Sequence, residues 1–360
     1  MEKNRKTVVH IVEALEGGLI TFVLSLTKHI PDLNHFIIYV DRTKQKDNLK
    51  RRFGDNVQLV EWPHAQRKIH PIKDFKAALS LKKILKNIPY DFIHLHSSKA
   101  GFLGRLVGMT LKNKKIIYTP NGAAFARKDI GRLSKTLYVT LERFANVLSG
   151  EVVCCSKSEA DIYKKYHIKC TYINNGIPIP EEKSLSLQTQ PDAPINIVTI
   201  GRLTNQKNPA FFNEIADTFK NDKRVEFTWI GDGELKPLMT SPNITITGWL
   251  SSNQVFQHLQ EAHLYLSTAL WEGLPFAVLE AMSMAKPLVL YNCVGNRDLV
   301  KPEFNGFLFQ EKDQVIQYLR YFIESPEKLV TFGQNSFNKL KEEFNVELMA
   351  QQYKAKYLSL

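Results

Sequence analysis

Two carboxylates and two cations stand out by their surroundings. In WEGLPFAVLEAMSMAKPL, residues 271–288, Glu280 lies among Phe276, Val278, Leu279, Met282 and Met284, and Glu272 stands eight residues before it. A helix glutamate facing solvent is the plain reading of Glu280. Its apolar neighbours on every side argue instead for a buried carboxylate, which costs on the order of several kcal/mol unless a partner answers it. Sugar hydroxyls are suited to answer it, because each donates a hydrogen bond to an acceptor that stays ionised. Pro275 fits the first turn of a helix, where its missing N–H is no loss, so Glu272 falls in the preceding loop and Glu280 in the second helical turn. Gly273 leaves the amides beside it open to an anion or a hydroxyl at the positive helix end. Earlier in the chain, GRLTNQKN, residues 201–208, sets Arg202 and Lys207 five residues apart, two cations with room between them for a diphosphate. Taken alone, that loop reads equally as two solvated surface cations.

These residues need a scaffold that brings distant loops together. Short apolar, β-rich runs alternate with helical patterns through both halves. Strands are expected at 7–12, 35–40, 57–62, 91–96, 115–119 and 151–156, then at 195–200, 225–231, 244–248, 263–268 and 287–291. Such alternation predicts parallel sheets covered by helices. Both halves open with strand, Gly-containing loop and helix, so the expectation is two doubly wound, Rossmann-like α/β domains: 1–176, a linker over 177–194 rich in proline, 195–345, and a C-terminal helix over 346–360 that packs back on the first domain. In open α/β sheets ligands gather outside the carboxyl ends of the strands, and the space between two such domains is the expected ligand cleft.

The chain of 360 residues is 44% hydrophobic and 11% aromatic, ample for two cores. Its N-terminus moves from charges into a short apolar run and a Gly pair, which reads as no signal peptide. No window reaches the roughly 20 apolar residues of a spanning helix, so any membrane contact is expected to be peripheral. Cys154, Cys155, Cys170 and Cys293 form no CxxC pair and suit small buried thiols in a reducing compartment, hence the cytoplasm. The net charge of +12 is unevenly spread: residues 1–180 hold 31 Lys and Arg against 15 Asp and Glu, residues 181–360 hold 17 against 21. A solvated Lys-rich surface accounts for part of this. Nucleic acid would account for it too, but no recognisable binding module is present, so nucleic acid is not an expected partner. An anionic membrane surface or a lipid-phosphate substrate fits without one, with Lys82, Lys83, Lys86, Lys112, Lys114 and Lys115 as candidate contacts.

The motifs EGLPFAVLEAMSMAKPLV, GRLTNQKN, IGDGEL, INNGI and NGFLF occur in an order and spacing that resembles the retaining nucleotide-sugar glycosyltransferases of family 4, which have the GT-B fold. HLHSSKAGFLGRL (94–106) and YTPNGAAFAR (118–127) are similar to members that build capsular, O-antigen or exopolysaccharide repeat units. The resemblance implies that Arg202 and Lys207 hold the donor diphosphate and that Glu280 binds ribose hydroxyls. It implies further that Glu272, with the amides after it in the Gly273, Leu274 and Pro275 segment, of which Pro275 itself has no N–H, meets the donor sugar. Gly201, Gly231 and the Gly17–Gly18 loop would complete the donor site. Ser97, Ser98 and Lys99 would face the acceptor, a lipid-diphosphate-linked saccharide. Glu272, Arg202, Lys207, Asn121 and His96 would form the catalytic set. His96 also reads as a core histidine at a strand end, and Lys99 as a solvated lysine.

Three positions depart from the family. Asn121 stands where many relatives carry His, and an amide can bond a hydroxyl but cannot act as a cation or general base. Ala285 stands in the Gly position of an AxGxP turn, and VGN, with Gly295 and Asn296, replaces a Gly pair. These bear on the donor sugar, not on the reaction type. No D-x-D occurs, so no metal or other cofactor is implied, and charge on the departing diphosphate would be met by Arg202, Lys207 and helix-end amides. A GT-B sugar-nucleotide epimerase or phosphorylase is the neighbouring alternative, though the extra groups each would need are not visible. A non-catalytic basic binding protein is the alternative from another class. Against it stand Arg202, Lys207, Glu272 and Glu280 together, since a decayed site loses such costly charges first. No G-x-G-x-x-G follows either opening strand, which disfavours an NAD-linked oxidoreductase.

Overall fold

The computed structural model describes residues 5–41, 46–54, 56–66, 69–111, 115–180 and 193–360. Residues 181–192 of the expected linker lie outside these, as do Lys112 and Lys114. The chain divides into two compact units. One comprises Met1–Ala126, Ile130–Gly176 and Val346–Leu360, and the other Arg127–Asp129 and Ile177–Asn345. The second unit thus takes in residues 127–129, which the sequence reading left in the first domain. It also takes in Ile177, expected in the linker, whose N–H donates to the Phe344 carbonyl at 3.0 Å.

In the first unit, β1 (Thr7–Val12), β2 (Asn34–Tyr39), β3 (Val57–Glu61), β4 (Phe92–His96), β5 (Ile116–Thr119), β6 (Glu151–Cys154) and β7 (Cys170–Tyr172) form one sheet in the order β3-β2-β1-β4-β5-β6-β7. Every pairing is parallel. The strand order reverses between β1 and β4, and the chain leaves both strands at that switch point, into the Gly17 loop and the Ser97 helix start. In the second unit, β8 (Ile195–Ile200), β9 (Val225–Ile230), β10 (Ile244–Ile246), β11 (Leu264–Ser267), β12 (Leu288–Tyr291) and β13 (Gly306–Phe309) form the order β10-β9-β8-β11-β12-β13, again all parallel. Its switch point lies between β8 and β11, the strands that feed the two loops singled out in the sequence.

The central strands read as continuous apolar runs because helices cover both faces. One face of the first sheet is conventional: Val9, Ile11, Ile38, Ile93, Leu95 and Tyr118 pack under the helices Pro71–Asn87, Ser97–Thr110 and Arg132–Leu148. The other face is polar. His10, His35, His94, His96 and Thr119 line it beneath Phe22 of the helix Gly18–His29 and Tyr353 and Tyr357 of the helix Val346–Leu358. That last helix belongs to the first unit although it ends the chain. Among the described residues no helix is long and apolar enough to cross a membrane.

Candidate active site

The helix Phe276–Ser283 begins immediately after Pro275, which leaves Glu272 in the loop and Glu280 in the second turn. Its start is held to the loop after β8 by a set of bonds across 65 residues of chain. Lys207 Nζ donates to Glu272 Oε1 at 2.7 Å, and Gln206 Nε2 donates to the Trp271 carbonyl at 2.9 Å and to Glu272 Oε2 at 3.4 Å. The Gln206 carbonyl accepts from Leu270 N at 2.8 Å, and Thr268 Oγ1 donates to the Lys207 carbonyl at 2.8 Å. Both oxygens of Glu272 are therefore fixed. Gln206, within GRLTNQKN, is thus a further candidate site residue, one that only the bonds across the two loops reveal.

Close backbone approaches set the loops around this pair. A Cβ on Gly231 (φ +137°) would lie 2.2 Å from the Gly201 carbonyl oxygen, so the ends of β8 and β9 touch backbone to backbone. A Cβ on Gly295 (φ +83°) would lie 2.5 Å from the Gly273 oxygen and 3.2 Å from Glu272 Cβ, so the VGN loop after β12 rests directly on the Glu272–Gly273 backbone. Gly201 serves as the floor under Lys207, whose Cε would sit 2.8 Å from a Cβ there.

Electrostatics separate the two cations. Arg202 is exposed, with its guanidinium carbon 6.0 Å from the centroid of the Trp249 ring. Lys207 is largely enclosed. Burial alone would lower its pKa, but Glu272 and then Tyr265 outweigh that and raise it, so the ammonium stays charged. Glu280 behaves oppositely. Burial pushes its carboxyl up to about 7 against the weaker pull of Lys207, and no described residue hydrogen-bonds its side chain. The buried carboxylate read from the sequence is thus partly buried, and it is answered by a field rather than a bond. Cys293, after β12, is pushed up to about 12 by burial and then by Glu272, which makes it an inert thiol.

In the first unit, Gly17 caps the helix Gly18–His29 with φ +54°, and a Cβ there would meet nothing within 4 Å. His96 ends β4 and is fully buried. Its place is fixed by a chain of imidazoles. His35 Nε2 donates to the Ile30 carbonyl at 3.0 Å, so His35 Nδ1 is the acceptor for His10 Nε2 at 3.1 Å, and His10 Nδ1 the acceptor for His96 Nε2 at 3.1 Å. One tautomer runs through all three rings and ends on His96 Nδ1, a buried nitrogen with no hydrogen-bond partner. Burial lowers the His96 pKa to about 3, so the ring is neutral and cannot serve as a cation. Ring nitrogens of His10, His94 and His96 lie within 4.8 Å of one another, close enough to suggest a metal cage. The His94 nitrogens, however, are engaged by Thr119 Oγ1 at 2.8 Å and the Tyr357 hydroxyl at 2.7 Å, and those of His10 by its neighbours, so two of the three rings are satisfied by hydrogen bonds and only His96 Nδ1 is left over. Nothing local in the chain marks His10, His35 and His94 as partners.

Ser97 Oγ turns back to the His96 carbonyl at 2.6 Å, and Ser98 is partly exposed. Lys99 is no solvated lysine: its ammonium sits 2.7 Å from both oxygens of Asp74. Asn121 takes a left-handed conformation (φ +54°) with its amide on the Thr119 carbonyl at 3.2 Å. The loop it belongs to is anchored by the buried Glu159, which accepts from Gly122 N and Cys155 N, each at 2.8 Å.

Residues 16–180 match the model of Glycosyltransferase Family 4, and residues 194–324 that of Glycosyl transferases group 1. The chain is a glycosyltransferase with a family 4 domain followed by a group 1 domain. It is similar to the UDP-Gal:alpha-D-GlcNAc-diphosphoundecaprenol alpha-1,3-galactosyltransferase of Escherichia coli, 29% identical with 88% of each chain covered. It is also similar to the O-antigen biosynthesis glycosyltransferase WbnH of Escherichia coli, 28% identical over 68% of this chain and 70% of that one. Among solved structures it resembles Anabaena HepE in complex with UDP and glucose, with a TM-score of 0.79 at 17% identity, covering 98% of this chain and 99% of that one. The fold of the enzyme is that of the GT-B glycosyltransferases, two all-parallel Rossmann-like sheets.

Proposed function

We propose that the enzyme transfers a sugar from a UDP-sugar, with retention of anomeric configuration, to a hydroxyl of a lipid-diphosphate-linked saccharide in capsule, O-antigen or exopolysaccharide synthesis. The observation that carries this reading is the Lys207–Glu272 pair beside an unbonded Glu280 at the switch point of the second sheet. Lys207 is a fixed, fully charged ammonium where negative charge must develop on a departing diphosphate, and a preorganised cation needs no rearrangement as the bond breaks. Arg202 adds a second, exposed cation. Glu280 offers a poorly hydrated acceptor to paired ribose hydroxyls. The relatives bear on the finer terms: one is named for a UDP-galactose donor and a diphosphoundecaprenol-linked acceptor, another for O-antigen synthesis. In this reading the reaction uses no metal, since the cations that meet the diphosphate are side chains. The enzyme works at the cytoplasmic face of the cell membrane, where such acceptors lie.

The test is nucleotide binding in the presence of EDTA. UDP should raise the melting temperature of the wild-type enzyme by mass action, and Arg202→Ala should reduce that rise. No shift with UDP at millimolar concentration would remove the donor-site assignment.

A further inference from the structure

The first unit presents an apolar surface that its own core does not use. On the helix Pro71–Asn87 the residues turned to the core are Ala77, Leu81 and Leu85, whereas Ile72, Phe75 and Leu79 lie on the opposite side at 52–65% exposure. On the helix Arg132–Leu148 the buried residues are Val139, Glu142 and Ala145, and Leu133, Leu137, Phe144 and Val147 lie opposite at 50–89% exposure. Each set falls on a single stripe at helical spacing. The helix Ser97–Thr110 packs between the two, set close to the sheet because Gly101, Gly104 and Gly108 face it where a Cβ would lie 2.1–2.3 Å from side chains of Tyr118, Leu95 and Ile116. Both stripes therefore look outward from one layer of three helices. Seven large apolar side chains at half exposure or more exceed the scatter normal for a soluble surface and mark an interaction site.

The charge around the stripes says what covers them. The helix Pro71–Asn87 carries five lysines and one acid, Asp74, which is tied to Lys99 at 2.7 Å. The helix Arg132–Leu148 carries Arg132, Lys135 and Arg143 and one acid, Glu142, which is buried against Arg105 at 2.6 Å. Both acids are neutralised inward, so what faces outward is apolar and cationic. A second copy of the chain would bring like charges together. An anionic bilayer answers both features at once, taking the apolar side chains at the level of its head groups and pairing the rim of Lys and Arg with lipid phosphates.

We infer that the outward faces of the helices Pro71–Asn87 and Arg132–Leu148 form one surface that seats the enzyme on an anionic lipid bilayer. The inference deepens the reading of a lipid-borne acceptor and rests on it. It is tested by flotation of the full chain with vesicles of phosphatidylglycerol and phosphatidylcholine, and with phosphatidylcholine alone, at low and high salt. Wild type should float with the mixed vesicles and be released as salt rises. Phe75→Ser/Leu79→Ser/Phe144→Ser/Val147→Ser should lower partitioning at least tenfold, and Lys82→Gln/Lys83→Gln/Lys86→Gln should remove the preference for anionic lipid. Both variants should keep the wild-type UDP-dependent melting shift, which shows that they fold. The inference is overturned if the serine variant partitions as wild type does, or if wild type binds neither vesicle at low salt. A serine variant that changes sedimentation from dimer to monomer without changing flotation would also overturn it, in favour of a second copy. If vesicle binding behaves as described but UDP shifts no melting curve, the donor-site reading fails and the lipid surface stands.

Discussion

Replacing Glu280 by Gln should stabilise the ligand-free enzyme and weaken its hold on UDP, two effects of opposite sign from one atom. The carboxyl is held near 7 rather than at its ordinary 4.5, chiefly by burial. The sign follows from proton binding. Between about 4.5 and about 7 the folded protein holds a proton that the unfolded chain has released, so stability falls as pH rises through that window and the loss is complete above it. At about 1.4 kcal/mol per pH unit, the penalty at pH 8 amounts to about 3 kcal/mol, an upper figure for a side chain that keeps some contact with water. Glu280→Gln removes it and should raise the melting temperature by several degrees at pH 8 and hardly at all at pH 4.5. Ribose hydroxyls, by contrast, bond best to the ionised form. Wild-type UDP affinity should therefore climb by up to about tenfold between pH 6 and pH 8, while that of Glu280→Gln stays flat and lies about 1.5 to 3 kcal/mol weaker at the upper end. Differential scanning calorimetry with and without UDP across this pH range reads both effects. Parallel melting curves for the two proteins at every pH, or equal UDP affinity at pH 8, would refute the reasoning.

Lys207→Met leaves Glu272 enclosed without its cation and should cost about 3 kcal/mol in thermal unfolding. Adding Glu272→Gln should recover most of that loss, and simple additivity of the two changes would contradict the pair. Ala285 sits at φ +51° in the turn after the helix Phe276–Ser283, a conformation that disfavours any Cβ, so Ala285→Gly should stabilise the second unit by about 1 kcal/mol in denaturant unfolding. Equal or lower stability would show the turn to be unstrained. The buried histidines carry the opposite pH sign to Glu280: with pKa values lowered chiefly by burial they stay neutral in the fold, so the stability they allow is present above about 6.5 and is lost as pH falls below it. Acid unfolding followed by circular dichroism should show this limb in wild type and a shallower one in His96→Asn.

Much of the fold was legible because parallel strands buried on both faces leave apolar runs; eleven of the thirteen described strands lie in the segments expected, although β3 and β10 are partly exposed and carry polar residues within them. The two that did not are short. β7 reads Cys-Thr-Tyr at a partly exposed sheet edge, and β13 reads Gly-Phe-Leu-Phe inside a motif taken for its chemistry rather than its pairing. The loop glutamate, the helix start at Pro275 and the placement of Glu280 followed from proline and glycine chemistry. The Lys207–Glu272 bond did not, since nothing local couples residues 65 apart; only the adjacency of β8 and β11 brings them together. The imidazole chain was hidden for the same reason. His10 and His94 are register partners across β1 and β4, and each alone is an ordinary polar residue in an apolar strand. Ala285 was noted as a departure from the family, and its positive φ supplies the physical reason a glycine suits that position.

The most direct measurement is transfer itself: purified enzyme, a panel of UDP-sugars, an undecaprenyl-diphosphate-linked N-acetylhexosamine acceptor and EDTA, with UDP release followed by coupled assay and the new linkage by proton NMR. The account predicts release of UDP with at least one donor, dependence on Lys207 and Glu272, and an α-linkage from an α-linked donor. Failure of every donor with a folded, UDP-binding enzyme, or a β-linked product, would contradict it.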